Sequence, residues 1–451
     1  MNNLPTFIHN ETKTFKFTNE QYYYLEIEYN RYLIYKSLIK QIEKILNITE
    51  SINYTSINNN TNNRKKYENK NILDRFVLEC INHGLTPQIE CEVVKSENAT
   101  LFQDNYLEDN RDVNYEFLSH NLLFNKIIEN TEKLHKTSYY KKMLNEYNEK
   151  KIRLTPDKII AIDNAIANSN KFFSNQCKFD LNCNINTNKN IINIKFKNIN
   201  CSITLQNNEY FIIKYRDYIK TISISRYYKI IKNYDKPYPY DIIRMLLRYS
   251  IFDMSSQQWS IGDNLYEDIS EIFNISFEMF ASPLNFNMNT FCSVFYDTDN
   301  IFGSVGSFYK LGLDKLLNQN IKGVFFNPPY LPLLMKKCTI QCLNIINEMN
   351  KLQVDFTIVS FLPHWGDADY IKNFIGSEYT VDYKIVNKGN YILHEKDRGK
   401  LINGTFDLLV IVLNSMKANW SDEKKLEIEK DIIKIVTIMN LEAKEMFIKK
   451  K

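Results

Sequence analysis

The sequence predicts an α/β fold: a sheet covered on both faces in the C-terminal half, preceded by a mainly helical region with some antiparallel strands. Three observations carry this. After residue 265, the apolar runs F-E-M-F-A, G-V-F-F, F-T-I-V-S-F-L and F-D-L-L-V-I-V-L alternate with helical stretches such as 331–351. Strands buried on both faces of a doubly wound sheet have this texture. From Lys178 to Tyr215 the period is two, and I-I-N-I-K-F-K-N-I-N-C-S-I-T-L alternates as half-buried antiparallel strands do. Upstream, residues 20–48 are periodic and Pro-free, as one long helix requires.

Taken in order, 51–70 is Asn-rich and polar and reads as a low-complexity surface loop, with Arg64, Lys65 and Lys66 solvated rather than bound to phosphate. Helical patterns resume at 72–83, 119–134, 137–150 and 156–168. After the period-two stretch, helices are expected at 217–234 and 240–251, separated by Pro237 and Pro239. The first mixes Tyr215, Arg216, Lys220, Arg226, Tyr227, Tyr228 and Lys229. Such interleaving suits nucleotide contact, but it equally describes an amphipathic helix with snorkelling basic residues, which is the reading taken. A charged helix begins at Asp422. The expected division is 1–250, mainly helical with a small antiparallel β region; 251–415, α/β; and 416–451, a C-terminal helix.

Length and composition bound the function. A chain of 451 residues allows two or three domains at roughly 100–200 residues each, and 44% hydrophobic residues permit a sizeable core. Abundant Asn, Ile, Lys and Tyr match what an AT-rich coding sequence produces. A net charge of +4 permits a nucleic-acid partner without arguing for one. None of the eight Cys forms C-x-x-C, and no His stands at zinc-ligand spacing, so no metal site is expected. Cys338 and Cys342, four apart on an expected helix, read as core thiols. No run of roughly 18 apolar residues exists to span a membrane, and M-N-N-L-P-T-F is no targeting segment. The expectation is a soluble, reduced, intracellular protein.

The chemistry concentrates at G-V-F-F-N-P-P-Y, Gly323–Tyr330. An exocyclic amine on a planar ring shares its lone pair with the ring and attacks a methyl group poorly. Two acceptors aimed at its N–H bonds free that pair, and the Asn327 side-chain oxygen and the Pro328 carbonyl suit the task. Pro328 and Pro329 restrict the loop to one shape, and Tyr330 offers a ring for stacking. The gain comes from positioning and oriented dipoles, at the strand end where doubly wound sheets bind ligands. The tetrapeptide alone leaves adenine in DNA, adenine in RNA and a protein glutamine amide open as substrates, and a non-catalytic RNA-binding protein remains a further reading. The methyl donor implied is S-adenosylmethionine. Many such enzymes have a Gly-rich loop after the first strand; here F-A-S-P-L-N, Phe280 to Asn285, occupies that place, with Phe280, Ala281, Ser282, Pro283 and Asn285 as cofactor-site candidates beside Asn327. Downstream, in F-Y-D-T-D-N-I-F-G-S, Asp297 or Asp299 suits ribose hydroxyls. The same stretch fails as a calcium loop, because Ile301 stands where a ligand is needed.

S-F-E-M-F-A-S-P-L-N (Ser276–Asn285), F-C-S-V-F-Y-D-T-D-N-I-F-G-S (Phe291–Ser304), F-F-N-P-P-Y (Phe325–Tyr330) and F-L-P-H-W (Phe361–Trp365) occur in this order. Together they resemble the catalytic region of the phosphorylated-CTD-interacting-factor family over about residues 215–420. The resemblance implies a Rossmann-like methyltransferase domain preceded by a helical domain. It also implies transfer from S-adenosylmethionine to N6 of the first transcribed 2′-O-methyladenosine, beside the 7-methylguanosine cap of mRNA. Asn327 to Tyr330 match the family's N-P-P-F, with Tyr for Phe. Trp365 matches a Trp that contacts the capped RNA, although His364, Gly366 and Asp367 differ from the family's neighbouring residues. His364 itself reads as structural. Family members from animals carry a WW domain that binds the phosphorylated polymerase tail and needs two Trp close in sequence. The Trp here stand at 259, 365 and 420, so the expectation is that this module is absent and that direct polymerase-tail binding is not made.

Overall fold

The computed structural model describes residues 10–18, 201–232, 239–250, 258–330, 332–366 and 368–449, with position 199 and scattered helical positions between 21 and 41 and between 161 and 168. The helices expected at 72–83, 119–134 and 137–150, the polar stretch 51–70, and Asp367 lie outside the described residues. The described residues fall into two compact units, one holding those up to 220 and 239–250, the other 221–232 and 258–449.

A four-stranded sheet, in the first unit up to residue 220, has the order β1 (Thr12–Thr14), β2 (Cys201–Gln206), β3 (Tyr210–Tyr215), β4 (Tyr218–Ser223). β2 and β3 pair antiparallel, with Ile203 opposite Ile213, and β2 alternates buried and partly exposed residues, as its period-two sequence predicts. Asn207 and Asn208 supply the left-handed backbone of the connecting turn, both with φ 54°. Helix α2 (Pro239–Tyr249) buries Arg248, whose guanidinium donates to both Glu28 carboxylate oxygens at 2.8 and 2.5 Å, so the buried charge is paired.

The helix expected at 217–234 is half strand. Arg216 takes φ 53°, the chain reverses at Asp217, and β4 runs back along β3 before α1 (Ile224–Lys232) begins. Tyr218 and Ile222 are buried while Ile219 between them is exposed, a strand alternation. A short Tyr-Ile-Lys-Thr-Ile run satisfies both periods, and tertiary pairing decides between them.

The second unit is a six-stranded mixed sheet in the order β10-β13-β9-β8-β6-β7. Its strands are β6 (Phe277–Glu278), β7 (Thr290–Phe291), β8 (Gly323–Phe326), β9 (Thr357–Pro363), β10 (Thr380–Val386) and β13 (Leu408–Asn414). β7, β6, β8 and β9 are parallel neighbours, and β13 runs antiparallel to both β9 and β10. Every residue of β8 and β13 is buried, which explains their unbroken apolar runs. One core joins α3 (Asp263–Phe273) and α8 (Asp422–Lys449) to this sheet through Leu265, Ile269, Phe325, Val359, Phe361, Val410 and the Ile428, Ile432, Ile435, Met439 stripe of α8. That stripe recurs every three or four residues, as a helix facing a core requires. Helix α6 (Pro332–Lys351), between the short helices α5 (Leu313–Asn318) and α7 (Asp369–Ile375) in sequence, buries Met335, Cys338, Cys342, Ile346 and Met349. Gly323 is forced by a close approach, since a Cβ there would lie 2.6 Å from the Asn274 carbonyl oxygen. Between β10 and β13 the chain inserts β11 (Ile392–Glu395) and β12 (Lys400–Asn403), which form a small sheet with β5 (Trp259–Ser260). Among the described residues no helix is long and apolar enough to cross a membrane.

Candidate active site

Parallel strands β6, β8 and β9 end on the same side of the sheet, so three loops meet there. The loop after β8 carries Asn327, Pro328, Pro329 and Tyr330. Pro328 is buried and the other three are half-buried. The Tyr330 hydroxyl donates to Asn327 Oδ1 at 2.8 Å and lies 3.4 Å from the Phe361 carbonyl oxygen of β9. Burial pushes the Tyr330 phenol well above its ordinary range, so it remains a donor at neutral pH. After β9, the His364 backbone N–H donates to the Asp407 carbonyl at 2.7 Å, which ties the end of β9 to the segment before β13. Trp365 follows, half-buried, with its ring 6.3 Å from Tyr370 and 6.5 Å from Phe406.

Phe406 was not singled out by the sequence. It stands perpendicular to Tyr330, with ring centroids 5.4 Å apart, and 6.0 Å from Tyr391. The Tyr391 hydroxyl donates to the Phe406 carbonyl at 2.8 Å, and Asp407 Oδ1 accepts the Lys388 N–H at 2.8 Å. Gly404 permits this loop to lie on the Tyr391 ring, where a Cβ would come within 2.3 Å. Tyr330, Trp365 and Phe406 therefore form an aromatic corner beside Asn327.

The loop after β6 is held by a residue outside it. Arg226 of α1, only 2% exposed, donates from Nε and Nη2 to the Pro283 carbonyl at 3.1 and 2.8 Å and from Nη1 to the Phe286 carbonyl at 2.7 Å, and lies 4.2 Å from the Phe286 ring. It is a buried clamp, neither a snorkelling surface residue nor a nucleotide contact. Asn285 Oδ1 accepts the Ser282 N–H at 2.8 Å, and the Ser282 hydroxyl reaches Gln258 Oε1 at 2.6 Å. Ala281 N–H donates to the Cys292 carbonyl at 2.9 Å, tying the ends of β6 and β7 together. Glu278, at the end of β6, accepts the N–H groups of Asn287 and Met288 at 2.6 and 3.0 Å. Phe280 is half-buried, with its ring 4.7 Å from Phe308 and 5.6 Å from Phe326.

Behind this loop the buried Lys396 anchors a polar cluster whose other members, Asp263, Asn287 and His394, keep partial exposure. Lys396 donates to Asp263 at 2.6 Å and to the Asn287 side chain. Burial lowers the Lys396 ammonium to about 8 against the pull of Asp263. Burial and the Lys396 charge lower His394 to about 4. For Asp263, burial is outweighed by Lys396, which holds the carboxylate at about 2.

After β7, helix α4 (Tyr296–Asp299) places both acidic candidates inside the protein. Asp297 is 7% exposed and Asp299 is 0% exposed, and Asp299 Oδ1 accepts from the Thr298 hydroxyl at 3.0 Å.

Comparison with known proteins meets this geometry on the same residues. The family model described as "Phosphorylated CTD interacting factor 1 WW domain" matches residues 222–395. The chain is similar to the phosphorylated CTD interacting factors. The human and mouse proteins named "mRNA (2'-O-methyladenosine-N(6)-)-methyltransferase" are each 28% identical over 123 residues, covering 27% of this chain and 16% of the relative. The family match takes in Arg226, Phe280–Asn285, Asp297, Asn327–Tyr330 and Trp365, and stops short of Phe406. It also corrects one expectation. The family model bears the name of the WW domain, so the inference that this module is absent, and with it the inference that direct polymerase-tail binding is not made, is withdrawn. That inference rested on Trp spacing alone, whereas the matched span contains Trp259 and Trp365.

Proposed function

We propose that this chain is a cap-specific mRNA adenosine N6-methyltransferase of Rossmann-like fold, acting on the first transcribed (2′-O-methyl)adenosine beside the 7-methylguanosine cap. The observation that carries the reading is Asn327 with Tyr330 at the carboxyl end of β8, flanked by an aromatic corner. It is supported by similarity to relatives whose name states this reaction.

The cofactor site fits S-adenosylmethionine. Gly-rich loops serve close backbone approach to phosphate. S-adenosylmethionine has no phosphate, and the loop after β6 has no glycine. Phe280 offers a flat apolar surface for a base. Asp297, which keeps slight exposure where Asp299 keeps none, is the candidate for ribose hydroxyls. Ala281, Ser282, Pro283 and Asn285 serve through the shape of the loop, because the Ser282 hydroxyl, the Pro283 carbonyl and the Asn285 side chain already bond within the protein. S-adenosylmethionine, when bound, supplies the methyl group.

The chain's own part is to hold and activate the nucleophile. Asn327 Oδ1 and the Pro328 carbonyl accept the two N–H bonds of the adenine amine and free its lone pair. Pro329 fixes the loop, Tyr330 stacks on the base, and Trp365 contacts the capped end. These are oriented dipoles in a site screened from water, each such acceptor contributing on the order of 10²–10³ in rate. The deciding experiment is methylation of 7-methylguanosine-capped RNA beginning with A, 2′-O-methyl-A or G, with uncapped RNA, DNA and glutamine peptide alongside. Capped RNA with a first adenosine should be preferred, and Asn327→Ala should lose about 10³-fold or more with folding intact. Full activity in that variant, or equal transfer to uncapped RNA or DNA, would overturn the reading.

A further inference from the structure

Asn327 can perform its proposed task only if its side-chain oxygen, not its nitrogen, meets the substrate amine. The two ends of an amide have nearly the same shape and opposite hydrogen-bonding sense. Rotation by half a turn about χ2 would present a donor to a donor. Something must decide which end faces the base.

We propose that the Tyr330 hydroxyl is a positioning group that selects the Asn327 rotamer, keeping Oδ1 rather than Nδ2 directed at the incoming amine. This rests on the reading of the site given above. Three observations and one property of the amide oxygen support it. The hydroxyl donates to Asn327 Oδ1 at 2.8 Å. A carbonyl-type oxygen has two lone pairs, so this bond leaves one for the substrate. Among the described residues the hydroxyl also lies 3.4 Å from the Phe361 carbonyl oxygen of β9, a longer contact than the one to Asn327, so Asn327 Oδ1 is its favoured acceptor. The ring that carries the hydroxyl is itself fixed, perpendicular to Phe406, whose backbone is held by Tyr391. Since the N-P-P-F of the family resembled lacks this hydroxyl, its role here is an addition to the clamp and not the clamp itself. Its effect should therefore be that of one hydrogen bond.

Tyr330→Phe keeps the ring and removes the hydroxyl. With capped RNA beginning with adenosine, kcat should fall about fivefold to tenfold, the size of one net hydrogen bond. KM for RNA, S-adenosylmethionine affinity by calorimetry and the melting temperature should stay at wild-type values. A merely structural role would move those three together with kcat, and that result overturns the proposal. So does an unchanged kcat in Tyr330→Phe while Asn327→Ala is inactive, a pattern that leaves the methyltransferase reading standing. A wild-type chain that transfers no methyl to capped RNA overturns the reading itself and this inference with it.

Discussion

The two loops that frame the site are held by opposite means. The loop after β6 is stitched from outside and within: three guanidinium N–H groups of Arg226, the Asn285 side chain, and Glu278 beneath it fix its backbone. The loop after β8 relies on two prolines and on the Tyr330 hydroxyl, which bonds Asn327 and lies near the Phe361 carbonyl. Hydrogen bonds hold a backbone by occupying its donors and acceptors. Prolines hold it by removing freedom in φ and leave carbonyl oxygens open. Under the proposed function the first loop holds the cofactor and needs shape, so its polar groups can be spent internally. The second would hold the substrate and must keep acceptors for it, so its rigidity has to come from covalent restriction.

This contrast is broken most severely at Arg226. Arg226→Met keeps the stem and removes donors to two buried carbonyls, each costing about 1–3 kcal/mol when left unpaired, so a loss of about 3 kcal/mol or more is expected. Urea unfolding measures it, and S-adenosylmethionine affinity should fall in parallel. A change below about 1 kcal/mol, less than even one unpaired carbonyl should cost, would show that the loop holds its own shape.

A milder probe uses acid. The support of the first loop contains groups held well away from their ordinary values within the acid range, while the phenols of Tyr330 and Tyr391 at the second are raised and stay protonated there. His394 is held at about 4 by burial and the Lys396 charge, against an ordinary value near 6.5. Between these values the unfolded chain binds a proton that the folded chain refuses. Stability therefore rises with pH across the window and falls as pH drops from about 6.5 toward about 4. The melting temperature should decline over that range, and less steeply in His394→Gln. Identical slopes would mean that some other group carries the acid sensitivity.

The second loop was far more legible in the sequence than the first. An apolar run stopped by Asn-Pro-Pro marks a strand end by local chemistry alone, and β8 closes at Phe326 as that pattern requires. Strands β9 and β13 and helices α6 and α8 were legible for the same reason, each being long and of one period. Arg226 was not, because its partners lie 57 and 60 residues away and an amphipathic helix hides which basic residue turns inward. Phe406 follows an inserted hairpin, and nothing local distinguishes its Gly-Thr-Phe-Asp from any other turn. β4 was misread because six residues do not separate period two from 3.6. Local restriction leaves a mark in sequence, whereas a long-range clamp leaves one only in space.

The smallest stability effect and the sharpest test of the contrast lie at Pro329. Pro329→Ala removes no hydrogen bond, since proline has no N–H to lose, and should cost only about 0.4–1 kcal/mol through the added freedom of the unfolded chain. If proline restriction is what keeps the acceptors aimed, the rate should fall further than stability does, by about tenfold or more in kcat, because misplacement of reacting groups by a fraction of an ångström is costly. Arg226→Met should show the reverse ratio, large in stability and, once cofactor is saturating, small in kcat. Should Pro329→Ala lose stability and rate in equal measure, the two loops would be held by the same means after all, and the open carbonyl of Pro328 would need another explanation.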